Sequence, residues 1–299
     1  LMDIFGSLRI MRRLFRLDKC NIFPLDDDFL SFLVIRQRSV YVFDLISEQF
    51  NFKFKLKNCR NVMHNSICST PSGKIIFGEY GSNEKLDSVP VYASDDNGHS
   101  WSELSLFKKG EIRHIHTVSY DKYTNSIWLA TGDDNGQCKL VKCNHDLNYS
   151  EVYGDGTQTW RTCGIFFEEN HIYWLMDSPN EKASTVRMDR EDRTIEKLHY
   201  LDGPVWYVKE LSGGIKIAGV SVEPGSSVKT NYAQLLVSTD YIKWHKILEF
   251  PKDKWSMKYF KFGVISFSDG RQGIDNFYIS GEGLTGLDGK SMKLSLSLD

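Results

Sequence analysis

Apolar positions along this chain come in short runs at a regular spacing, with no long stripe of helical period. Each recurrence has the same parts: a short apolar run, a turn, a second apolar run closing on an acidic residue, and two more polar runs. Copies begin at His64 (HNSICSTPSGKIIFGEY), His114 (HIHTVSYDKYTNSIWLATGDD), Arg161 (RTCGIFFEENHIYWLMDSP), Val205 (VWYVKELSGGIKIAGVSVEPG) and Phe260 (FKFGVISFSDGRQGIDNFYISGEG). The runs read as strands, and a period of about 40 to 50 residues is that of propeller blades. The turns agree, with Pro71-Ser72-Gly73, Glu168 to Asn170, Ser212 to Gly214 and Asp269-Gly270 at the hairpin positions.

The expected architecture is all-β: a six-bladed β-propeller of four-stranded antiparallel blades in one domain spanning residues 1–299. Residues 18–57 supply one blade and 58–299 the other five. The C-terminal KLSLSL is expected to pair with N-terminal strands and close the ring. Two stacked β-sandwiches would also give short strands and frequent turns, but they do not require a repeat in phase.

Composition narrows the function classes. Aromatics make up 13% of the chain, enough for a large core, and a net charge of −2 lacks the basic excess that nucleic-acid binding requires. No apolar stretch is long enough for a membrane-spanning helix, and no export signal is evident, so a cytoplasmic location is expected. The six cysteines show no CxxC spacing and predict neither a zinc cage nor a disulfide framework. In residues 1–17, Ile4, Leu8, Met11 and Phe15 share one helical face and Arg9, Arg12, Arg13 and Arg16 the other. This amphipathic helix either packs on the propeller or makes peripheral contact with an anionic membrane.

Ser94-Asp95-Asp96-Asn97-Gly98-His99-Ser100-Trp101 fits S-x-D-x-G-x-x-W. The motif resembles the Asp-box (BNR) repeat of sialidases and related propeller glycosidases, and the likeness extends over residues 58–290. Weaker copies are Gly132 to Gly136, read as a channel-mouth loop, and Ser238-Thr239-Asp240 with Trp244, which lacks the glycine and is one residue short. The resemblance implies a carbohydrate-active propeller. It also implies that the Ser94–Trp101 turn joins a third strand to a fourth, on the face away from the active site. There is no Arg-Ile-Pro motif near the start and no arginine triad suited to sialate, so sialic acid specificity does not follow.

Aligned in phase, the second strands end on Glu79, Asp133, Asp177, Glu223 and Glu282, a candidate ring of carboxylates at the channel mouth. Facing them, at the starts of innermost strands, stand Arg60, His64, His114, His116, Trp160, Arg161, Trp206 and Tyr207. Three chemistries fit an oligosaccharide or polysaccharide partner. Glycoside hydrolysis would use paired carboxylates from Glu79, Asp133, Asp177 and Glu223, with His114 and Arg161 beside them and the other residues binding sugar. A uronate lyase would use His114 or Tyr207 as base with Arg161 neutralising the sugar carboxylate. No cofactor is required, but calcium or manganese held by Glu79, Asp133, Asp177 and Glu223 would resemble propeller lactonases. A propeller that only displays a binding surface is the non-catalytic alternative.

Overall fold

The computed structural model describes residues 8–11, 19–148 and 150–297. It is a six-bladed β-propeller. The first blade contains β1 (Asn21–Pro24), β2 (Ser31–Arg36), β3 (Ser39–Asp44) and β4 (Gln49–Lys55). The second contains β5 (Cys68–Ser69), β6 (Ile75–Gly78), β7 (Val91–Ser94) and β8 (Ser102–Leu104). The third is built from β9 (His114–Asp121), β10 (Ser126–Gly132), β11 (Cys138–Asn144) and β12 (Ser150–Gly156). The fourth has β13 (Ile165–Phe167), β14 (His171–Leu175), β15 (Ser184–Asp189) and β16 (Ile195–Tyr200). In the fifth are β17 (Val205–Glu210), β18 (Lys216–Val220), β19 (Tyr232–Ser238) and β20 (His245–Pro251), and in the sixth β21 (Val264–Phe267), β22 (Phe277–Glu282) and β23 (Ser291–Leu294). Each blade is an antiparallel meander in chain order, with three strands in the sixth and four in every other.

The expected ring closure by KLSLSL is corrected. Among the described residues β23 pairs only with β22 of its own blade, and residues 21–55 already furnish four strands for the first blade. At this junction Pro24 and Phe29 of the first blade lie against the Gly270 turn of the sixth, and Asn65 Nδ2, from the segment entering the second blade, donates to Phe267 O at 3.2 Å.

Around the axis, the end of one blade's second strand bonds the next blade's innermost segment. Ile115 N donates to Glu79 O (3.0 Å), Val205 N to Met176 O (3.1 Å) and Gly263 N to Val222 O (2.9 Å). At Gly78 a Cβ would fall 2.4 Å from Ile115 Cδ1, so glycine is what lets these two blades meet. The second strands are apolar because both of their faces are covered by neighbouring blades: β10 (SIWLATG) is buried along its whole length, whereas the outermost strands, such as β20 (HKILEFP), are largely exposed.

The Ser94–Trp101 turn joins β7 to β8, on the face opposite the end of β6, as the meander requires. Gly98 N donates to Ser94 Oγ (2.8 Å), Ser100 N to Asp96 Oδ1 (2.8 Å) and Trp101 Nε1 to Gly98 O (3.0 Å). The shortened copy after β19 makes the same closure with Tyr241 in the glycine's place: Tyr241 N donates to Ser238 Oγ (2.9 Å) and Trp244 Nε1 to Tyr241 O (3.1 Å).

Most of the N-terminal amphipathic segment lies outside the described residues. In its described part Arg9 faces the propeller, pairing with Asp253 and Asp288, while Leu8 is exposed. No helix among the described residues is long and apolar enough to cross a membrane, and all six cysteines are free.

Candidate active site at the channel mouth

β9 presents His114 and His116 on one face of the strand, two residues apart, and both side chains are buried. His114 Nδ1 bonds Gly81 O at 2.7 Å, and His116 Nδ1 bonds Thr162 O at 3.1 Å. A carbonyl oxygen only accepts, so both Nδ1 atoms carry hydrogen and the two Nε2 atoms face inward. These lie 3.0 Å apart. Asp133, just past β10, meets them with Oδ1 3.1 Å from His116 Nε2 and Oδ2 3.3 Å from His114 Nε2. The Tyr80 ring covers His114, with centroids 4.3 Å apart.

Arg161, from the innermost segment of the fourth blade, joins this group to the next carboxylate. Its Nη2 lies 3.0 Å from Asp133 Oδ1 and its Nε 3.2 Å from Asp177 Oδ2. Cys163 Sγ also donates to Asp177 Oδ2 (3.4 Å). Burial pushes the Asp177 carboxyl above its ordinary range against the pull of Arg161. Burial would lower Arg161, but Asp177 and Asp133 outweigh it and hold the guanidinium charged. The Cys163 thiol is pushed well above its usual value, first by burial and then by Asp177.

Further round the ring, Glu223 accepts from Trp206 Nε1 (2.7 Å) and Ser221 Oγ (3.2 Å) on one oxygen. Burial, then the nearby Asp177 charge, raises its carboxyl from 4.5 to about 7, with the Trp206 hydrogen bond opposing. Asp133, Arg161, Asp177 and Glu223 therefore form one electrostatic line across the third, fourth and fifth blades.

Three expected members lie elsewhere. Glu79 turns back toward the first blade, where Oε2 accepts from Asn58 N (2.7 Å) and Oε1 from Lys57 N (2.5 Å) and Tyr92 Oη (2.9 Å). Its phase along the strand matches the others, but the 57–58 backbone supplies donors that capture it. The expected four-carboxylate cation cage of Glu79, Asp133, Asp177 and Glu223 is therefore not assembled. Trp160 closes a one-turn 3-10 helix, Gln158–Trp160, and stacks on Trp174 (5.1 Å) in the core, where it offers no sugar platform. Glu282 pairs with Lys261 (3.0 Å) in a cavity of about 670 Å³ between the first and sixth blades. Burial would raise Glu282, but Lys19, Lys261 and His64 hold it at about 2.

Beside the His114–His116–Asp133 group, behind Tyr80, a cavity of about 760 Å³ opens at the mouth, lined by Arg60 and Tyr207 together with Lys19, Arg38, Lys261 and Tyr80, while Asp133, Arg161, Asp177 and Glu223 stand outside its lining. His64 also lines it, its ring 5.8 Å from that of Tyr207, and burial pushes this imidazole down to about 4. Among the described residues lining the cavity, none is Asp or Glu. The cationic rim was not foreseen, because Lys19, Arg38 and Lys261 arrive from three separated segments. Tyr80 and Gly81 were also missed, although both immediately follow Glu79 at a strand end that was singled out.

No protein-family model matches the chain. No curated protein matches it either. Among solved structures, it is similar to the GH74 xyloglucanase of Xanthomonas campestris, with a TM-score of 0.60 at 12% identity over 92% of this chain and 44% of that one. The chain thus spans under half the length of that protein. It is also similar to a chain of the nidogen/laminin complex, with a TM-score of 0.54 at 7% identity over 89% of this chain and 93% of that one. At these identities the likeness is one of fold, and the fold it shares is the β-propeller.

Proposed function

We propose that this propeller cleaves a glycosidic bond in an acidic oligosaccharide bound at the channel mouth. Glu223 gives its proton to the leaving sugar oxygen, and the attacking water gives up a proton to an Nε2 lone pair of the His114–His116–Asp133 group as its oxygen bonds the anomeric carbon. The observation that carries the reading is Glu223: a nearly buried carboxyl, anchored on one oxygen by Trp206 and Ser221 and raised to about 7 beside Asp177. A carboxylic acid that keeps its proton near neutrality is what departure of a sugar leaving group requires.

The substrate class follows from the cavity. Its rim carries four cations, Lys19, Arg38, Arg60 and Lys261, against the one neighbouring carboxylate of Glu282, which pairs with Lys261, and the excess positive charge suits a sugar bearing carboxylate or sulfate groups. Tyr80 and Tyr207 give it aromatic surface. The Asp-box turn at Ser94–Trp101 and the fold shared with a GH74 xyloglucanase support a carbohydrate role. Uronate elimination is less favoured, because the Arg161 guanidinium is already held by Asp133 and Asp177 and is not free to neutralise a sugar carboxylate.

The test is a panel of uronate-bearing, sulfated and neutral oligosaccharides. Release of reducing ends from the acidic members alone, without an ultraviolet-absorbing unsaturated product, is the expected result. An unsaturated product would transfer the site to the lyase class, and binding without turnover to a non-catalytic module.

A further inference from the structure

We infer that His114, His116 and Asp133 form a binding site for one divalent first-row transition metal ion of the zinc class. Three electron-rich groups converge there with no donor hydrogen assigned between them. Both imidazoles spend their Nδ1–H on backbone carbonyls, Gly81 O and Thr162 O, which turns the Nε2 lone pairs toward each other and toward the carboxylate. Backbone carbonyls that fix the tautomer and aim the ring are the outer-shell arrangement of metal-ligating histidines.

The spacing fits a shared ion. Donor atoms bound at about 2.0 to 2.2 Å and separated by roughly 90 to 110° lie about 2.8 to 3.6 Å from one another. The contacts here are 3.0 Å between the Nε2 atoms, and 3.1 and 3.3 Å from them to the carboxylate oxygens.

Charge is also available. The two neighbouring cations have carboxylates of their own: Arg161 is paired with Asp177 (3.2 Å) and Arg113 with Asp134 (2.7 Å), and Arg113 reaches Asp133 Oδ2 only at 3.8 Å. Arg161 occupies one direction at Asp133 Oδ1, and each carboxylate oxygen has two lone pairs. The site lies directly behind the mouth cavity: Tyr80, whose ring covers His114, and Gly81, whose carbonyl accepts from it, both line that cavity. Gly132 leaves room beside the ring: a Cβ there would sit 2.6 Å from His116 Cε1 and 3.0 Å from Nε2. Two imidazoles with one carboxylate favour zinc, iron or manganese over calcium, which takes oxygen ligands.

The inference concerns the same mouth as the proposed glycan chemistry, but its test needs no sugar, so either can fail alone. The full chain is stripped with a chelator, dialysed, and titrated with zinc chloride by calorimetry and elemental analysis, and with cobalt(II) by visible absorption. One equivalent of zinc and cobalt ligand-field bands in wild type are expected. His116→Ala and Asp133→Asn should each weaken binding by at least about 100-fold, beyond the range seen for outer-shell losses, while His99→Ala binds as wild type. Circular dichroism checks that the variants fold, and the wild-type cobalt spectrum decides the matter if they do not. Wild type that takes up no zinc or cobalt would leave a shared proton as the occupant and overturn the inference. Unchanged binding in both folded site variants would overturn it equally.

Discussion

Arg161 holds Asp177 through one 3.2 Å contact from Nε to Oδ2, while Asp177 Oδ1 is buried without a hydrogen-bond partner. The carboxylate is thus only half satisfied, and its charge acts on its neighbours as well as on Arg161. It contributes to the raised carboxyl of Glu223 and to the raised thiol of Cys163.

Removing the guanidinium should leave a buried carboxylate without compensation. Arg161→Ala is expected to lower stability by about 3 to 5 kcal/mol, the usual cost of breaking one side of a buried ion pair. Asp177→Asn should cost less, because an amide leaves no buried negative charge. Urea denaturation of the two variants checks the order. Equal losses would mean that the pair is not electrostatically one-sided.

The pH dependence has a definite sign at Glu223. The folded protein retains to about 7 a proton that the unfolded chain releases near 4.5. The stability tied to this group is therefore complete below 4.5 and is lost as pH rises through 7. Glu223→Gln removes that loss, so at pH 8 the variant should be more stable than wild type, by no more than about 3.5 kcal/mol at roughly 1.4 kcal/mol per pKa unit. At pH 4 it should gain nothing. Denaturation midpoints at the two pH values test this, and a gain of the same size at both would contradict it.

The two Ser-x-Asp turns make a paired prediction. Gly98 has φ 83° and Tyr241, in the equivalent place, φ 62°. Gly98→Ala should cost about 1 to 2 kcal/mol through left-handed strain, and the new Cβ would sit 3.2 Å from Val42 Cγ2. Tyr241→Gly would relieve such strain yet should still destabilise, by about 3 to 5 kcal/mol, as loss of a buried aromatic does. Tyr241 stacks on Tyr173 at 4.2 Å, and its hydroxyl donates to Glu168 at 2.8 Å. Thermal melting of both variants decides, and a stabilised Tyr241→Gly would refute the packing argument.

These turns also mark what the sequence makes legible. Strand runs, turn residues and their spacing are local, so the blades and the face carrying Ser94–Trp101 could be read directly. Strand phase also identified Asp133, Asp177 and Glu223 as neighbours, since equivalent strand ends meet around one axis. Phase does not reveal which hydrogen-bond donors capture a carboxylate, and for that reason Glu79 went to the 57–58 backbone instead of the mouth. Nor does it report ring direction, which here depends on two distant carbonyls, Gly81 O and Thr162 O. Trp160 misled for a related reason: a 3-10 turn rotates it into the core beside Trp174.

Glu223→Gln separates the proposed role of Glu223 as the acid of glycan cleavage from any role in holding the sugar. Turnover of the best acidic oligosaccharide is measured at pH 6 for wild type and variant, with binding of the same sugar followed by calorimetry. A fall in kcat of about 10² to 10⁴-fold is expected, the range for losing a general acid, with binding within a few-fold of wild type. Unchanged turnover by a folded Glu223→Gln protein would contradict that role.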